Sequence, residues 1–507
     1  MLEQLDLTKS MSRENYRKRM DLLEPELSRL QRECKAQKIP VIIVFEGFGA
    51  AGKGYQISRL IRALDPRGFY VYSIGPESTE EMMHPFLWRF WTKLPSSTQM
   101  AIFDRSWYRK VLIDRFDGII RESRLLSYYN EINAFERQLA ADGTVIIKLF
   151  LCIDKKEQKK RFKRLQSLQS SAWRVSEQDL RRNKEFDRYK AMNDEMLEHT
   201  DKAYAPWTII ESMDRSFATV KIYTAVIEAL KTALRRKTEG AAADTAVSVV
   251  PTPASEYSDE VLRTSSLKKA DLSLSLEHDD YKRELKHLQN RIADLHGELY
   301  RRRIPVILGF EGWDAGGKGG SIKRLTEKMD PRGYRVHPTA SPNDIEKVHH
   351  YLWRFWKNVP KDGHIAIFDR TWYGRVMVER IEGFCTREEW QRAYSEINEM
   401  EKQFVEHGAI VLKFWMQIDK EEQERRFKER MENPEKQWKI TDEDWRNREK
   451  WDAYEHAVDE MLVRTSTLDA PWIIVEGNNK YYARIKVLRT VVEAMEERLS
   501  RYKDGED

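Results

Sequence analysis

Residues 312–320 combine five glycines with one carboxylate and one lysine, a set of residue types that suits a phosphate-binding site. Gly312, Gly317 and Gly319 allow the backbone to wrap closely around phosphate oxygens, and amides at the start of a following helix would point at the anion. Lys318 adds a positive charge on the same oxygens. Gly-x-x-x-x-Gly-Lys between a strand and a helix is typical of a phosphate-binding loop; the alternative is an ordinary tight turn.

The residue after the lysine departs from the usual loop. A Ser or Thr hydroxyl normally follows and binds Mg²⁺, but here Gly319 and Gly320 follow. Asp314, inside the loop, is the obvious replacement ligand. Because a carboxylate that faces phosphates is repelled unless a cation lies between them, Asp314 predicts Mg²⁺. The alternative is an aspartate that only caps the loop.

A second polar pair follows an apolar strand predicted at 365–368. Asp369 ends this strand, which is typical of the second metal ligand in phosphoryl-transfer enzymes of this kind. Arg370 is expected to reach the transferring phosphoryl group, unless the two residues only form an ion pair. Arg375 and Arg380, further along, suit phosphate or substrate binding.

A basic stretch covers residues 425–439, after another predicted strand. This is the position of a lid in nucleoside kinases, where cations close over phosphates and neutralise charge in the transition state. Acidic residues alternate with the cations, so a solvated helix face is the alternative.

The elements that position these residues occur twice, 265 residues apart. Lys53 corresponds to Lys318 (318 − 53 = 265), and Ala-Pro-Trp at 205–207 recurs at 470–472 with the same offset. A constant offset over such a length indicates two copies of one domain. We place the domains at 1–236 and 266–507, joined by a linker at 237–265 that is rich in Ala, Ser, Thr and Pro.

Each copy alternates helical periodicity with short apolar runs. This pattern predicts an α/β fold, a parallel sheet with helices on both faces, duplicated in tandem. The predicted leading helices are 14–37 and 279–303; the predicted strands are 40–45, 70–74, 100–103, 144–152 and 207–211, and 305–310, 334–338, 365–368, 409–417 and 472–476.

The second copy resembles the polyphosphate kinase 2 family at residues 310–320, 368–373 and 433–439. The resemblance implies a thymidylate-kinase-like P-loop kinase fold, Mg²⁺ dependence, and phosphoryl transfer from inorganic polyphosphate to AMP, giving ADP. It also implies catalytic roles for Asp314, Lys318, Asp369 and Arg370. The remaining cations that it implies in phosphate or substrate binding are Arg375, Arg380, Arg430, Lys436 and Lys439.

The first copy has lost part of this set. Gly49 stands where the second copy has Asp314, and Leu168 and Ser171 stand where it has Asn433 and Lys436. We therefore expect the first copy to be mainly structural, with at most a residual anion site. Lys53→Ala should leave most turnover intact, whereas Lys318→Ala should cost several orders of magnitude.

The bulk composition excludes several classes. No apolar run reaches the ~20 residues of a membrane helix, and the N-terminus lacks a secretory signal. Three distant cysteines argue against a disulfide framework and favour the cytoplasm. A net charge of +5, without a nucleic-acid motif, gives no reason to expect nucleic acid as a partner. An ATP-dependent nucleoside monophosphate kinase and a non-catalytic anion-binding scaffold remain as alternatives. The acceptor range and the oligomeric state, a homodimer included, stay open.

Overall fold

The computed structural model describes residues 1–167, 169–170, 172–239, 266–435, 437, 440 and 442–503. Lys436 and Lys439, Leu168 and Ser171, and nearly all of the predicted linker therefore lie outside the described residues. The chain forms two compact units, one centred on a sheet of the first repeat and the other on a sheet of the second.

Five strands in each repeat are separated by helices. The strands of the first repeat are β1 (Val41–Gly47), β2 (Phe69–Ser73), β3 (Met100–Asp104), β4 (Val145–Cys152) and β5 (Trp207–Glu211). Its helices are α1 (Arg13–Ala36), α2 (Lys53–Leu60), α3 (Trp88–Trp91), α4 (Leu125–Ala141), α5 (Lys155–Gln166), α6 (Glu177–Lys184), α7 (Phe186–Thr200) and α8 (Arg215–Thr238).

The second repeat has its five strands at the same positions, 265 residues later. They are β6 (Val306–Gly312), β7 (Tyr334–Pro338), β8 (Ile365–Asp369), β9 (Ile410–Gln417) and β10 (Trp472–Glu476). Its helices are α9 (His278–Arg302), α10 (Lys318–Thr326), α11 (Trp353–Trp356), α12 (Val378–Ile381), α13 (Arg387–Glu406), α14 (Lys420–Glu432), α15 (Asp442–Glu449), α16 (Trp451–Thr465) and α17 (Lys480–Lys503). The predicted strands and the two leading helices are confirmed, with boundaries shifted by a few residues at most.

Both sheets are parallel throughout and have equivalent strand orders, β2-β3-β1-β4-β5 and β7-β8-β6-β9-β10. In the second sheet Phe310 of β6 pairs with Asp369 of β8. The loop after β6 and the loop after β8 therefore leave the sheet side by side at its carboxyl edge, where open α/β sheets bind ligands.

The central strands of the second sheet are buried along almost their whole length because both faces of the sheet are covered. On one face Val306, Leu308 and Phe310 join an apolar core with residues of α9, α10 and α17. On the other face Lys413 of β9 reaches α13 and α16. Helices thus cover both faces, as the sequence predicted, and the central strands carry almost no exposed side chain.

The buried lysine on the second face is satisfied by a complete set of partners. The Nζ of Lys413 donates to Glu401 at 2.8 Å, to the hydroxyl of Tyr373 at 2.8 Å and to the carbonyl oxygen of Thr465 at 2.6 Å. The indole of Trp372 also donates to Glu401, at 2.9 Å. Trp372 and Tyr373 are both buried core residues.

Within the described ranges no helix is long and apolar enough to cross a membrane. All three cysteines lie in the described part of the chain and are free thiols, in agreement with the expected lack of a disulfide framework.

Candidate active site

The loop between β6 and α10 has a backbone that requires glycine. Gly312 has a φ of +145°, and a Cβ there would lie 2.6 Å from the carbonyl oxygen of Met416. Gly317 has a φ of +110° and is the N-cap residue of α10. Ala315 also has a positive φ, 61°. The chain therefore turns sharply, and the free amides at the start of α10 border the loop, where they can bind an anion.

Lys318 folds back over this loop. Its Nζ donates to the carbonyl oxygens of Gly312, at 2.6 Å, and Trp313, at 3.2 Å. Lys318 forms no ion pair with a carboxylate among the residues that the structure describes. Two of its three N–H donors are thus used to hold the ammonium at the loop, and one donor and the full charge remain for a phosphate.

Asp314 is fixed from two sides. One carboxylate oxygen accepts a hydrogen bond from Arg370 at 3.3 Å, and the other accepts one from the amide of Asn447 at 3.1 Å. Its backbone carbonyl accepts a further bond from Gln423, at 3.1 Å. The predicted metal ligand and the predicted phosphoryl-binding arginine are therefore direct neighbours, although 56 residues separate them in sequence.

Asp369 and Arg370 lie at the end of β8, beside the loop. Arg370 has a φ of +65°, a left-handed conformation that costs a non-glycine residue on the order of 1–3 kcal/mol. This turn directs Arg370 away from its strand and towards Asp314. The Asp369 carboxylate forms no hydrogen bond or ion pair within the described residues, so its oxygens are available to a ligand. The alternative of an Asp369–Arg370 ion pair is not what the structure contains.

Asp314 and Asp369 are the residues of this site that would hold a magnesium ion. In the described part of the chain there is no cluster of three or more metal-binding side chains. Asp314 and Asp369 supply two carboxylates at one sheet edge. Mg²⁺ is commonly held by one or two carboxylates, with substrate phosphates and water completing the shell, so these two residues would suffice.

Glu311 holds the turn after β8 and was not among the predicted site residues. It is buried, and one carboxylate oxygen accepts hydrogen bonds from the backbone N–H of Thr371, at 2.6 Å, and from its hydroxyl, at 2.8 Å. Burial raises the pKa of the Glu311 carboxyl, against the opposing effects of Lys318 and Thr371. The signal in the sequence was a glutamate inside an otherwise apolar strand, Phe310-Glu311-Gly312.

Arg426 supports the other side of the loop and is not a lid cation. Its guanidinium donates to the carbonyl oxygens of Ala315 at 2.9 Å, Gly477 at 2.6 Å and Asn478 at 3.1 Å, and pairs with Glu422 at 2.6 Å. It therefore ties the loop to the segment after β10. Nothing in the local sequence separates this buried arginine from the exposed ones around it.

Two other cations of α14 pair along their own helix. Arg425 bonds Glu422 at 2.7 Å, and Lys428 bonds Glu424 at 2.7 Å. Arg430 lies in the last turn of the helix. For Arg425 and Lys428, the solvated, ion-paired helix face is the interpretation that the structure supports.

Arg375 and Arg380 also have protein partners. Arg375 pairs with Glu379 at 3.1 Å. Arg380 pairs with Glu460 at 2.6 Å and lies over the ring of Trp390, 4.0 Å from its centroid. Their predicted roles in phosphate or substrate binding stay predictions, as does that of Arg430.

The first repeat retains the loop but not its carboxylate. The Nζ of Lys53 donates to the carbonyl oxygens of Gly47, at 2.9 Å, and Phe48, at 3.2 Å, as Lys318 does in the second repeat. Arg105 has the same left-handed backbone as Arg370, with a φ of 63°. Gly49 leaves this arginine without the acidic neighbour that Arg370 has. The two loops share a scaffold, and only the second carries a loop carboxylate.

A phosphate-binding loop with a lysine and an acidic neighbour, at the carboxyl edge of a parallel sheet, defines the class of the P-loop kinases. The profile of the polyphosphate kinase 2 family matches residues 10–238 and 275–503, one match in each repeat. The chain belongs to the polyphosphate kinase 2 family.

Individual relatives agree with this assignment. The chain is 40% identical over 497 residues to a polyphosphate:AMP phosphotransferase of Pseudomonas aeruginosa, covering 98% of this chain and 99% of that one. It is 38% identical over 216 residues to ADP-polyphosphate phosphotransferase 3 of Rhizobium meliloti, covering 43% of this chain and 76% of that one. The crystal structure of a P. aeruginosa protein described as a polyphosphate kinase 2 matches with a TM-score of 0.85 and 38% identity, over 99% of this chain and 100% of that one.

Proposed function

We propose that the chain transfers the terminal phosphoryl group of inorganic polyphosphate to AMP, forming ADP, and that the second repeat carries out the transfer. The observation that carries this proposal is the group formed by Lys318, Asp314 and Arg370 at one loop, in a chain that matches a polyphosphate:AMP phosphotransferase over its full length. The first repeat has the lysine and arginine of this group without the aspartate.

The reaction exchanges one phosphoanhydride bond for another. An oxygen of the AMP phosphate attacks the terminal phosphorus of the polymer, and the bond from that phosphorus to the bridging oxygen breaks. The electron pair leaves with the shortened polyphosphate chain. Because the acceptor is already an anion, no side chain has to remove a proton from a hydroxyl, and the main task of the protein is to position and neutralise negative charge.

The roles follow from the geometry of the loop. Lys318 keeps one N–H donor free for a phosphate oxygen, and the amides at the start of α10 supply further donors. Arg370 is more than half exposed, at 55%, so its guanidinium can contact substrate while still bonded to Asp314. Asp314 and Asp369 would hold Mg²⁺, which when bound offsets the charge of the phosphates.

AMP is the acceptor that we propose first, because of the architecture of the relatives. The relative named for AMP matches both repeats, whereas the relative named for ADP matches 43% of this chain. In the comparison that covers the whole chain, the relative that matches both repeats is thus the one named for AMP.

The test is an assay of purified protein with AMP and Mg²⁺, in which the phosphoryl donor is either polyphosphate or ATP. We expect ADP to form with polyphosphate, and to form faster from AMP than ATP forms from ADP. If ADP formed from AMP with ATP as the donor but not with polyphosphate, the result would support the ATP-dependent nucleoside monophosphate kinase instead. If Asp314→Asn protein released or transferred phosphate as fast as the unaltered chain, the non-catalytic scaffold would become the better description.

A further inference from the structure

The loop of the first repeat borders a large open cleft. The cleft has a volume of about 1150 Å³ and includes Gly49, Lys53 and Arg105, the counterparts of Asp314, Lys318 and Arg370. Basic residues outnumber acidic ones in its lining, seven to four. The basic residues are Lys53, Arg105, Lys160, Arg161, Arg164, Arg174 and Arg215, and the acidic residues are Asp104, Glu157, Asp179 and Asp214.

Three of the four acidic residues in this lining have ion-pair or hydrogen-bond partners within the protein. Glu157 pairs with Arg161 at 2.7 Å, and Asp179 pairs with Arg182 at 3.0 Å. Asp214 accepts a hydrogen bond from the backbone N–H of Phe217, at 2.7 Å, as the N-cap of α8. Their charges are therefore largely committed within the protein.

Five of the seven cations lack such partners. Within the described residues, no carboxylate lies within ion-pairing distance of these side chains, which are those of Lys53, Arg105, Arg164, Arg174 and Arg215. Lys53 is the most buried of them, at 9% exposure, and burial lowers its pKa. A group of like charges around one cleft repels itself, and an anionic ligand would relieve this repulsion.

The second repeat balances charge differently at the same positions. Residues 265 further along the chain provide seven basic and six acidic side chains, against seven and four in the first repeat. Glu429 occupies the position of Arg164 and lies 3.8 Å from Lys480, the counterpart of Arg215. An ion pair of the second repeat is thus replaced in the first by two unpaired arginines. The first cleft therefore lacks the counterpart of Asp314 and has a larger excess of positive charge.

We propose that this cleft is a second binding site for inorganic polyphosphate, which holds the polymer without transferring phosphate and without a metal ion. The choice of ligand rests on the proposed function. The absence of a loop carboxylate at Gly49 removes one of the two carboxylates that would hold Mg²⁺ against the phosphates and leaves Asp104 alone, whereas the unpaired cations can neutralise phosphates directly.

A linear polyanion fits the cleft better than a nucleotide does. The unpaired cations come from three separate parts of the lining. Lys53 begins α2 and Arg105 follows β3, Arg164 and Arg174 lie at and beyond the end of α5, and Arg215 begins α8. They can therefore contact several phosphates along one chain. Tyr55 is an aromatic side chain of the lining, and the guanidinium of Arg215 lies over its ring, 4.9 Å from the centroid. That face of the ring is consequently not open to a base.

The test measures binding of inorganic polyphosphate to the full chain in EDTA, by isothermal titration calorimetry. Lys318→Ala is present throughout, to weaken the site of the second repeat. The test variant is Arg164→Gln with Arg215→Gln. The matched control is Arg235→Gln with Arg236→Gln, which removes the same charge from exposed residues at the other end of α8. At 1.5 Å per residue the two ends of this helix are roughly 35 Å apart.

We expect polyphosphate to bind without metal, and about tenfold more weakly to the test variant than to the control, which corresponds to about 0.7 kcal/mol for each arginine. Arg174→Gln, another exposed position, should weaken binding in the same direction. Equal affinities in the test and control variants, binding only when Mg²⁺ is added, or tighter binding of ATP than of polyphosphate would overturn the proposal. Metal-free binding in a chain that forms no ADP would contradict the proposed function but leave this site in place.

Discussion

Replacing the loop lysine of each repeat by alanine separates the contribution of Lys318 to catalysis from its contribution to the loop. Lys53 and Lys318 each donate two hydrogen bonds to the carbonyl oxygens of their own loop, with distances of 2.9 and 3.2 Å in the first repeat and 2.6 and 3.2 Å in the second. Either substitution removes the same local bonds. Any difference in turnover between the two variants must therefore arise from the interaction of the lysine with substrate.

The size of the effect can be worked from the charge. A unit charge about 4 Å from a phosphate charge contributes roughly 4 kcal/mol at an effective dielectric constant of about 20. If the transition state gains this interaction, Lys318→Ala should lower kcat by about 10³, since each 1.36 kcal/mol is about tenfold in rate. Lys53→Ala should lower kcat by less than about threefold at saturating polyphosphate, because its loop has no carboxylate partner for a metal.

The assay is ADP formation from AMP at saturating polyphosphate and Mg²⁺, with the polyphosphate concentration varied to separate kcat from KM. Thermal unfolding of both variants is the control, and we expect similar shifts because the lost hydrogen bonds match. Equal losses of kcat in Lys53→Ala and Lys318→Ala would refute the reasoning. So would a 10³-fold loss in Lys318→Ala that is matched by a much larger loss of stability than in Lys53→Ala.

Three further substitutions test the site and its support. Asp314→Asn keeps an oxygen that can accept a hydrogen bond from Arg370 but removes the negative charge. The Mg²⁺ concentration for half-maximal activity should therefore rise by about tenfold or more. An unchanged dependence on Mg²⁺ would remove Asp314 from the proposed metal site. Lys413→Met leaves Glu401 buried without its charged partner and should destabilise the second repeat by about 3–5 kcal/mol in denaturant unfolding. Burial already lowers the pKa of Lys413 in the folded chain. A loss of stability below about 1 kcal/mol would contradict the buried-pair argument. Burial raises the pKa of Glu311 above its ordinary value of 4.5, so the folded state binds the proton more tightly than the unfolded state does. The stability that Glu311 contributes is therefore fully present below pH 4.5 and is lost as the pH rises through the higher pKa of the folded state. Glu311→Gln should therefore gain stability relative to the unaltered chain as the pH is raised above 4.5, and parallel denaturant midpoints across pH would disprove this.

The sequence was sufficient for the elements because they depend on local patterns. The apolar run of β6 and the glycines around Lys318 are contiguous, and the backbone conformations that they need are properties of neighbouring residues. Because the chain is duplicated, each element was predicted once in each repeat, and every strand lies at the corresponding position in both repeats.

The support of the loop depends on residues far away along the chain, which is why it was missed. Asn447 bonds Asp314 across 133 residues, and Gln423 bonds its carbonyl across 109. Arg426 was indistinguishable by sequence from the exposed Arg425 beside it, because only the packing of α14 decides which side chain faces the loop. Polar side chains can take either environment, so their type alone does not determine their role.

By itself, the sequence determined that the protein has two copies of a phosphate-binding loop and that only the second has Asp314. These are facts about residue type at fixed spacing. The tertiary structure alone decided which charges are paired: Arg370 with Asp314, Lys480 with Glu429, and Arg105 and Arg215 with no carboxylate among the described residues. Pairing depends on distances of a few ångströms between distant segments, and this difference in pairing distinguishes the equivalent positions of the two repeats.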